Sequence, residues 1–271
     1  MRAFLGDLLD LLLPPACGRC RAPVPRAAAL CARCDAALSR LPASACRRCG
    51  EAPARLHSRW LRCAPCEGRE SALLACVASV AFEGEIERWI HRFKYPSPGP
   101  AGLDPAPGAV LAALIREAAR RAPGAEPALV VPVPLHPRRL RERGFNPAAQ
   151  LARALAREHG IRCAPAALER IRDTPSQTGL SRRARRRNVA GAFRARSARR
   201  LPARIWLVDD VVTTGSTLEE AARALRRAGA REVVGICVAR TPRRSAAPFS
   251  SPSTRRPRGS RGAAARDRPA S

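Results

Sequence analysis

The chain has 271 residues, of which 46% are hydrophobic and only 4% aromatic, and its 50 Lys+Arg against 22 Asp+Glu give a formal net charge of +28. That length and apolar content suit one or two globular domains with a sizeable core and exclude collagen, a coiled coil and wholesale disorder. The 26 prolines and 18 glycines call for long irregular connections.

From the N-terminus, residues 3–13 read as a short amphipathic helix. Asp7 and Asp10 interrupt its apolar run, and Pro14-Pro15 end it without a small-residue cleavage site, so it is not an export signal. No later stretch approaches the ~20 apolar residues of a membrane span. A cytoplasmic protein without a membrane span is expected.

Eight of the 11 cysteines form four Cys-x-x-Cys pairs: Cys17/Cys20, Cys31/Cys34, Cys46/Cys49 and Cys63/Cys66. This spacing belongs to metal rather than to disulfides, and it points to a reducing compartment. Eight thiolates satisfy two tetrahedral zinc sites, paired either in sequence order or interleaved. Closed all-cysteine sites are structural, because catalytic zinc keeps an open position. Little apolar sequence separates the pairs, so metal stands in for a core over a zinc-ribbon module at residues 1–72. His57 reads as a loop residue, and Cys76, Cys163 and Cys237 as small core residues in apolar strands.

A second domain is expected over 73–242. Strands are predicted at 76–82, 128–133, weakly at 161–168, at 205–208 and at 232–238. Helices are predicted at 85–93, 109–121, 147–158 and 217–228. Residues 96–108, rich in Pro and Gly, read as a loop. Alternating strand and helix predicts an α/β domain with a mainly parallel sheet. Residues 170–204 carry a charge of +11 without a clear pattern and read as a long excursion; residues 243–271 carry +7 and read as a disordered basic tail. Such concentrated charge suits anionic partners, although a composition with 49 arginines and the single Lys94 suits codon bias equally.

The sharpest signal is Ile205-Trp-Leu-Val-Asp-Asp-Val-Val-Thr-Thr-Gly-Ser-Thr217. Four apolar residues form a buried parallel strand, with Asp209 and Asp210 expected just past its solvent-open carboxyl end. Thr217 and Glu220 form a capping-box pattern that starts the next helix at Thr217. Thr213, Thr214, Ser216 and Thr217 then surround a helix N-terminus, where a phosphate dianion is favoured, and Gly215 permits close backbone approach. The two acids would repel that phosphate, so ribose hydroxyls, or a magnesium ion bound to them, must satisfy them.

This segment resembles the phosphoribosyl pyrophosphate signature of type I phosphoribosyltransferases. With Val131-Pro-Val-Pro-Leu-His-Pro-Arg-Arg-Leu-Arg-Glu-Arg-Gly-Phe-Asn146, Gln177-Thr-Gly-Leu-Ser181, Arg187-Asn-Val-Ala-Gly-Ala-Phe193 and the cysteine pairs, the chain resembles the ComF family from about residue 7 to 241. The resemblance implies a type I phosphoribosyltransferase-like sheet domain behind a double zinc ribbon. It implies that Asp209 and Asp210 hold ribose hydroxyls, that Thr213 to Thr217 hold the 5-phosphate, and that the segment around Arg138 and Arg139 forms the pyrophosphate loop. Lys94-Tyr95 matches a Lys-Tyr or Lys-Phe pair of the family, which places Lys94 near the ligand. Positioning and electrostatics carry most of such catalysis, so no residue is assigned a catalytic role.

Two functions follow. One is binding of phosphoribosyl pyrophosphate, or a related nucleotide, with magnesium in a protein that handles single-stranded DNA during uptake, as the family's link to competence implies. Arg182, Arg183, Arg185, Arg186 and Arg187, with Arg170, would serve DNA phosphates. The other is an active phosphoribosyltransferase on an unknown base; the shortage of aromatics for stacking a base favours the first. A third reading makes the zinc module an adaptor to a helicase partner, with residues 3–13 as the docking element.

Overall fold

The computed structural model describes residues 15–52, 62–96, 106–174, 182–196 and 201–242. Residues 3–13, His57, Trp60 and the tail 243–271 lie outside the described residues. In chain order the elements are α1 (Ala32–Ala36), β1 (Ala75–Ala81), α2 (Glu85–Lys94), α3 (Ala106–Ala119), β2 (Leu129–Pro132), α4 (Pro137–Arg143), α5 (Pro147–Glu158), β3 (Leu168–Arg170), α6 (Arg182–Val189), β4 (Phe193–Ala195), β5 (Arg204–Val212), α7 (Ser216–Arg227) and β6 (Glu232–Arg240).

Four strands form a parallel sheet in the order β1-β6-β5-β2. Successive residues of a strand face opposite sides, and here both sides are apolar: Ile205 and Leu207 of β5 join one core layer, Trp206 and Val208 the other. The Trp206 side is covered by α2, α3 and α5 through Trp89, Ile90, Leu111, Ile115, Leu151 and Leu155. The Leu207 side is covered by α7 and the antiparallel β3/β4 pair through Leu218, Leu225, Leu168 and Phe193. The chain therefore leaves β2 toward one face of the sheet and β5 toward the other. Their carboxyl ends flank the crevice where doubly wound sheets bind ligands.

Local signals account for most of this. Asn146 accepts the Ala148 N–H at 3.1 Å, Pro147 occupies the first turn, and Leu151, Ala152 and Leu155 supply a buried stripe, so α5 occupies the predicted 147–158. α2 likewise follows its buried Ile86, Trp89, Ile90 and Phe93.

Several expectations change. α3 begins at Ala106, inside the expected loop, because proline is tolerated at Pro107 in a first turn. The weak strand at 161–168 reduces to one bridge, Cys163 to Val130, before β3 begins at Leu168. The excursion 170–204 holds α6 and β4; α6 shows no apolar periodicity because five of its eight residues are arginine, and Val189 is its buried residue among the side chains described.

Both edges of the sheet are closed by backbone. At β1, the Leu41 N–H donates to Ser79 O and the Ala81 N–H to Ser39 O, each at 2.8 Å, while the Cys76 N–H donates to Arg47 O at 2.9 Å. At β2, Val130 exchanges bonds with Arg162 and Ala164. Leu38 and Leu41, from the cysteine-rich segment, belong to the two main core layers. The ribbon thus protects an edge strand that would otherwise offer unpaired donors and acceptors. No helix among the described residues is long and apolar enough to cross a membrane.

Trp89 is 1% exposed at the centre of the α2 layer. Trp89→Ala should cost about 3–5 kcal/mol in urea unfolding, because the cavity cannot collapse between α3 and the sheet. A cost below about 1 kcal/mol would show that this layer is loosely packed.

Candidate functional site

The strand β5 does not stop at Val208. Its ladder with β6 continues through Asp209↔Cys237 to Val212↔Arg240, so both acids are strand residues rather than residues beyond a solvent-open end. Strand alternation then separates them: Asp209 follows Leu207 toward the α7 side, and Asp210 follows Val208 toward the α2 side. Asp210 is 7% exposed, and the last residue of α2 meets it there, with Lys94 Nζ 2.7 Å from Asp210 Oδ2. The neighbouring Tyr95 accepts a hydrogen bond from Arg143 Nη2 at 2.8 Å, with the guanidinium 4.7 Å over its ring, which ties this end of α2 to α4. The structure therefore brings Lys94 to the acid pair.

Asp209 is half-buried and its carboxyl is pushed up to about 7, chiefly by burial and then by the Asp210 charge, against the opposing pull of Lys94, the Asp210 N–H and Arg170. The loop that follows is Thr213-Thr214-Gly215. Gly215 lies at φ +78°, a left-handed conformation that glycine alone adopts freely, and caps α7. α7 starts at Ser216, one residue before the expected start. The capping box is not its lock, because Glu220 is turned elsewhere, accepting the Gly191 N–H at 3.0 Å and a bond from Arg223 at 2.8 Å. Thr214 and Ser216 share a hydrogen bond at 2.9 Å. Thr213 is exposed, and Thr217 is half-buried in the first turn of α7. Hydroxyls, loop N–H groups and a helix N-terminus thus gather in the chain directly after the strand that bears the two carboxylates.

Arg138 and Arg139 lie on α4, directly after β2. Arg138 pairs with Glu142 at 3.0 Å and lies 3.6 Å from Asp173; Arg139 is half-buried. Arg170, at the end of β3, is half-buried with its guanidinium 5.6 Å over Phe193. Burial, then the Arg139 charge, lowers its pKa, partly countered by Asp209 and Asp173. Cations from β3 and α4 therefore share one field with the acid pair. The backbone of Arg182, Arg183, Arg185 and Arg186 runs along α6, which packs beside α7, and Arg187 is exposed. Neither Trp89, which is in the core, nor Phe145, which packs edge-on against Phe93, offers a free ring face to the site.

The cysteine pairs combine in sequence order: Cys17, Cys20, Cys31 and Cys34 form one tetrad, and Cys46, Cys49, Cys63 and Cys66 the other. Within each, the sulfurs lie within 4.8 Å of one another. A tetrahedral zinc with bonds of about 2.3 Å needs sulfur separations of about 3.8 Å. Cys20 and Cys31 are 3.6 Å apart and Cys49 and Cys63 3.7 Å, so both sets fit structural zinc. Both knuckles turn alike: the Arg21 N–H donates to Cys17 O and the Gly50 N–H to Cys46 O, with Arg21 and Gly50 at positive φ.

One residue that joins ribbon to site was not foreseen. Glu219, in the first turn of α7, accepts from Ser71 Oγ at 2.6 Å and the Ala72 N–H at 2.9 Å. In sequence it looks like an ordinary acid of a helix start, and only the fold supplies its partners.

The raised Asp209 carboxyl has a stability consequence. The folded protein keeps a proton that the unfolded chain has already released between the ordinary carboxylate range and about 7, so stability falls as pH rises through that window. Asp209→Asn should therefore raise the unfolding midpoint at about pH 8, and the gain should vanish at about pH 4. A lower midpoint at the higher pH would show the carboxylate to be stabilising.

Residues 8–67 match the double zinc ribbon domain and residues 140–253 the phosphoribosyl transferase domain. The chain is 32% identical over 206 residues to Competence protein F of Haemophilus influenzae, covering 75% of this chain and 87% of that one. It is 34% identical over 240 residues to DNA utilization protein YhgH of Salmonella typhimurium, covering 85% and 99%. A solved structure, TT1426 from Thermus thermophilus, matches 51% of this chain and 84% of its own at 20% identity and a TM-score of 0.29, a likeness too slight to bear on function. With a double zinc ribbon ahead of a phosphoribosyl transferase domain, and identity of this order along nearly the whole of such relatives, the chain belongs to the ComF family.

Proposed function

We propose that the crevice at the carboxyl ends of β2 and β5 binds phosphoribosyl pyrophosphate, or a related nucleotide, with magnesium, in a protein that handles single-stranded DNA during uptake or utilization. The observation that carries the reading is the continuous run from Asp209 and Asp210 in β5, through Gly215 at φ +78°, to the start of α7 at Ser216. In this reading the loop N–H groups and the hydroxyls of Thr213, Thr214, Ser216 and Thr217 take the 5-phosphate. Asp209 and Asp210 accept from the ribose hydroxyls, Lys94 holds Asp210 in place, and Arg138 and Arg139 face the pyrophosphate. Bound magnesium would supply charge neutralisation on the ligand's own oxygens.

The DNA part is supported by the names of the relatives, which speak of competence and DNA utilization. It is also supported by the +11 charge of residues 170–204. Arg182, Arg183, Arg185, Arg186 and Arg187 would contact phosphates of a single strand threaded past α6.

Calorimetric titration tests the ligand site. Phosphoribosyl pyrophosphate should bind the zinc-loaded protein only with magnesium, and Asp209→Asn with Asp210→Asn should weaken it at least ~100-fold, since each charge-assisted acceptor contributes about 1.5–3 kcal/mol. Unchanged affinity in a folded double variant refutes the assignment. For DNA, affinity for an unstructured oligonucleotide should fall steeply with salt, and Arg187→Ala should lessen the log–log slope by about 0.7. A salt-independent affinity would remove DNA phosphates from the reading.

A further inference from the structure

The two cysteine tetrads differ in their surroundings. In the first, Cys17 and Cys34 are buried, Cys31 half-buried and Cys20 exposed; in the second, Cys49 is half-buried and Cys46, Cys63 and Cys66 are 0%, 2% and 6% exposed. A zinc ion held by four thiolates is a dianion, about −2, and such charge out of water requires a cation or N–H donors directed at it. Of the two arginines between Cys46 and Cys49, Arg47 is exposed, and Arg48 spends its donors on the backbone carbonyls of Cys66, Arg69 and Glu70.

A buried cation does lie beside the second tetrad. Arg240, the last residue of β6, is 1% exposed, and its Nε and Nη2 both donate to the same oxygen of Glu51, at 3.0 and 2.8 Å. Its Nη1 is buried with no hydrogen-bond partner. Glu51 alone does not explain the guanidinium, since one carboxylate oxygen answers two of its three nitrogens. Cys49 stands two residues before Glu51 and within electrostatic reach of Arg240. Gly50, between them, lies against the arginine stem: a Cβ there would be 3.7 Å from Arg240 Cδ. Cys76 also feels this charge, but it is a strand residue of β1 and no member of either tetrad.

We propose that Arg240 is a positioning residue of the second metal centre, its Nη1 donating to a metal-bound thiolate of that tetrad and its charge offsetting the tetrathiolate, while Glu51 fixes the guanidinium plane. Because Arg240 pairs in register with Val212, the residue ahead of the Thr213–Gly215 loop, the same side chain anchors this centre where that loop leaves the sheet. The first tetrad has no counterpart among the described residues and serves as an internal control.

The test compares the zinc-loaded full chain with Glu51→Gln and with Glu51→Gln/Arg240→Met; changing both partners avoids stranding a buried charge. Zinc release to a chromogenic chelator is followed together with alkylation mapping of the freed cysteines. Glu51→Gln should release both zincs at the native rate. The double variant should release one zinc about 10–100-fold faster, with Cys46, Cys49, Cys63 and Cys66 alkylated first. In the cobalt-substituted protein, its thiolate-to-metal charge-transfer band should move to longer wavelength, a signature that loss of packing alone would not produce. Native release rates in the folded double variant overturn the proposal, as does a single Glu51→Gln variant that loses zinc as fast as the double one. Should the double variant not fold, Glu51→Gln is read first. Acceleration in it overturns the proposal, and native release is then joined by Arg240→Lys, which keeps the charge but removes the Nη1 donor: a cobalt band moved to longer wavelength supports the proposal, and an unmoved band overturns it.

Discussion

The ladder between β5 and β6 is the interaction on which the rest depends. It runs from Arg204↔Glu232 to Val212↔Arg240, and it passes unbroken through Asp209 and Asp210, a residue type disfavoured in strands. Because the pairing persists through Asp209 and Asp210, their side chains are set by the pleat, one to each face of the sheet. Lys94 and Arg170 then reach them from opposite sides, on α2 and β3. A loop-borne acid pair would be free to turn both carboxylates toward solvent. A strand-borne pair holds them in place at an electrostatic cost, as the raised Asp209 carboxyl shows.

Much of this was legible in the sequence, for reasons that differ by element. α5 announces itself by Asn146, Pro147 and a clean apolar stripe, and β5 by four apolar residues followed by the phosphate-loop pattern. The cysteine pairs announce two tetrads, but their order is a matter of where the chain returns, which spacing does not encode. The strand end at 208 was misplaced because aspartate is disfavoured in strands, whereas the ladder to β6 outweighs that preference. α6 lacked apolar periodicity, being held by Val189 and its place beside α7. Glu220 matched a cap at the right spacing, yet its carboxylate is used to hold Gly191, 29 residues away. Glu51 and Arg240 are 189 residues apart, and nothing local in either suggests the other.

The ribbon's role is correspondingly more than that of an appendage. It contributes Leu38 and Leu41 to the core layers, hydrogen bonds along β1, and through Ser71 and Ala72 a hold on Glu219 at the start of α7. Metal stabilises the knuckles, where apolar residues are scarce, and the knuckles in turn supply a partner for the sheet's exposed edge.

The strand order has a consequence for how the protein is made. β1 takes ribbon backbone on its outer edge, from residues that precede it in synthesis, but its inner neighbour is β6, with Ala75 opposite Val234. On the ribosome, the ribbon can load zinc and clasp β1 early, while the inner edge of β1 waits for some 150 further residues before its partner emerges. Contacts of such high sequence separation slow folding and leave an apolar strand half-paired in the interval. The ribbon thus acts as a co-translational guard on one side of β1, and the other side marks the window in which the nascent chain is most exposed to aggregation.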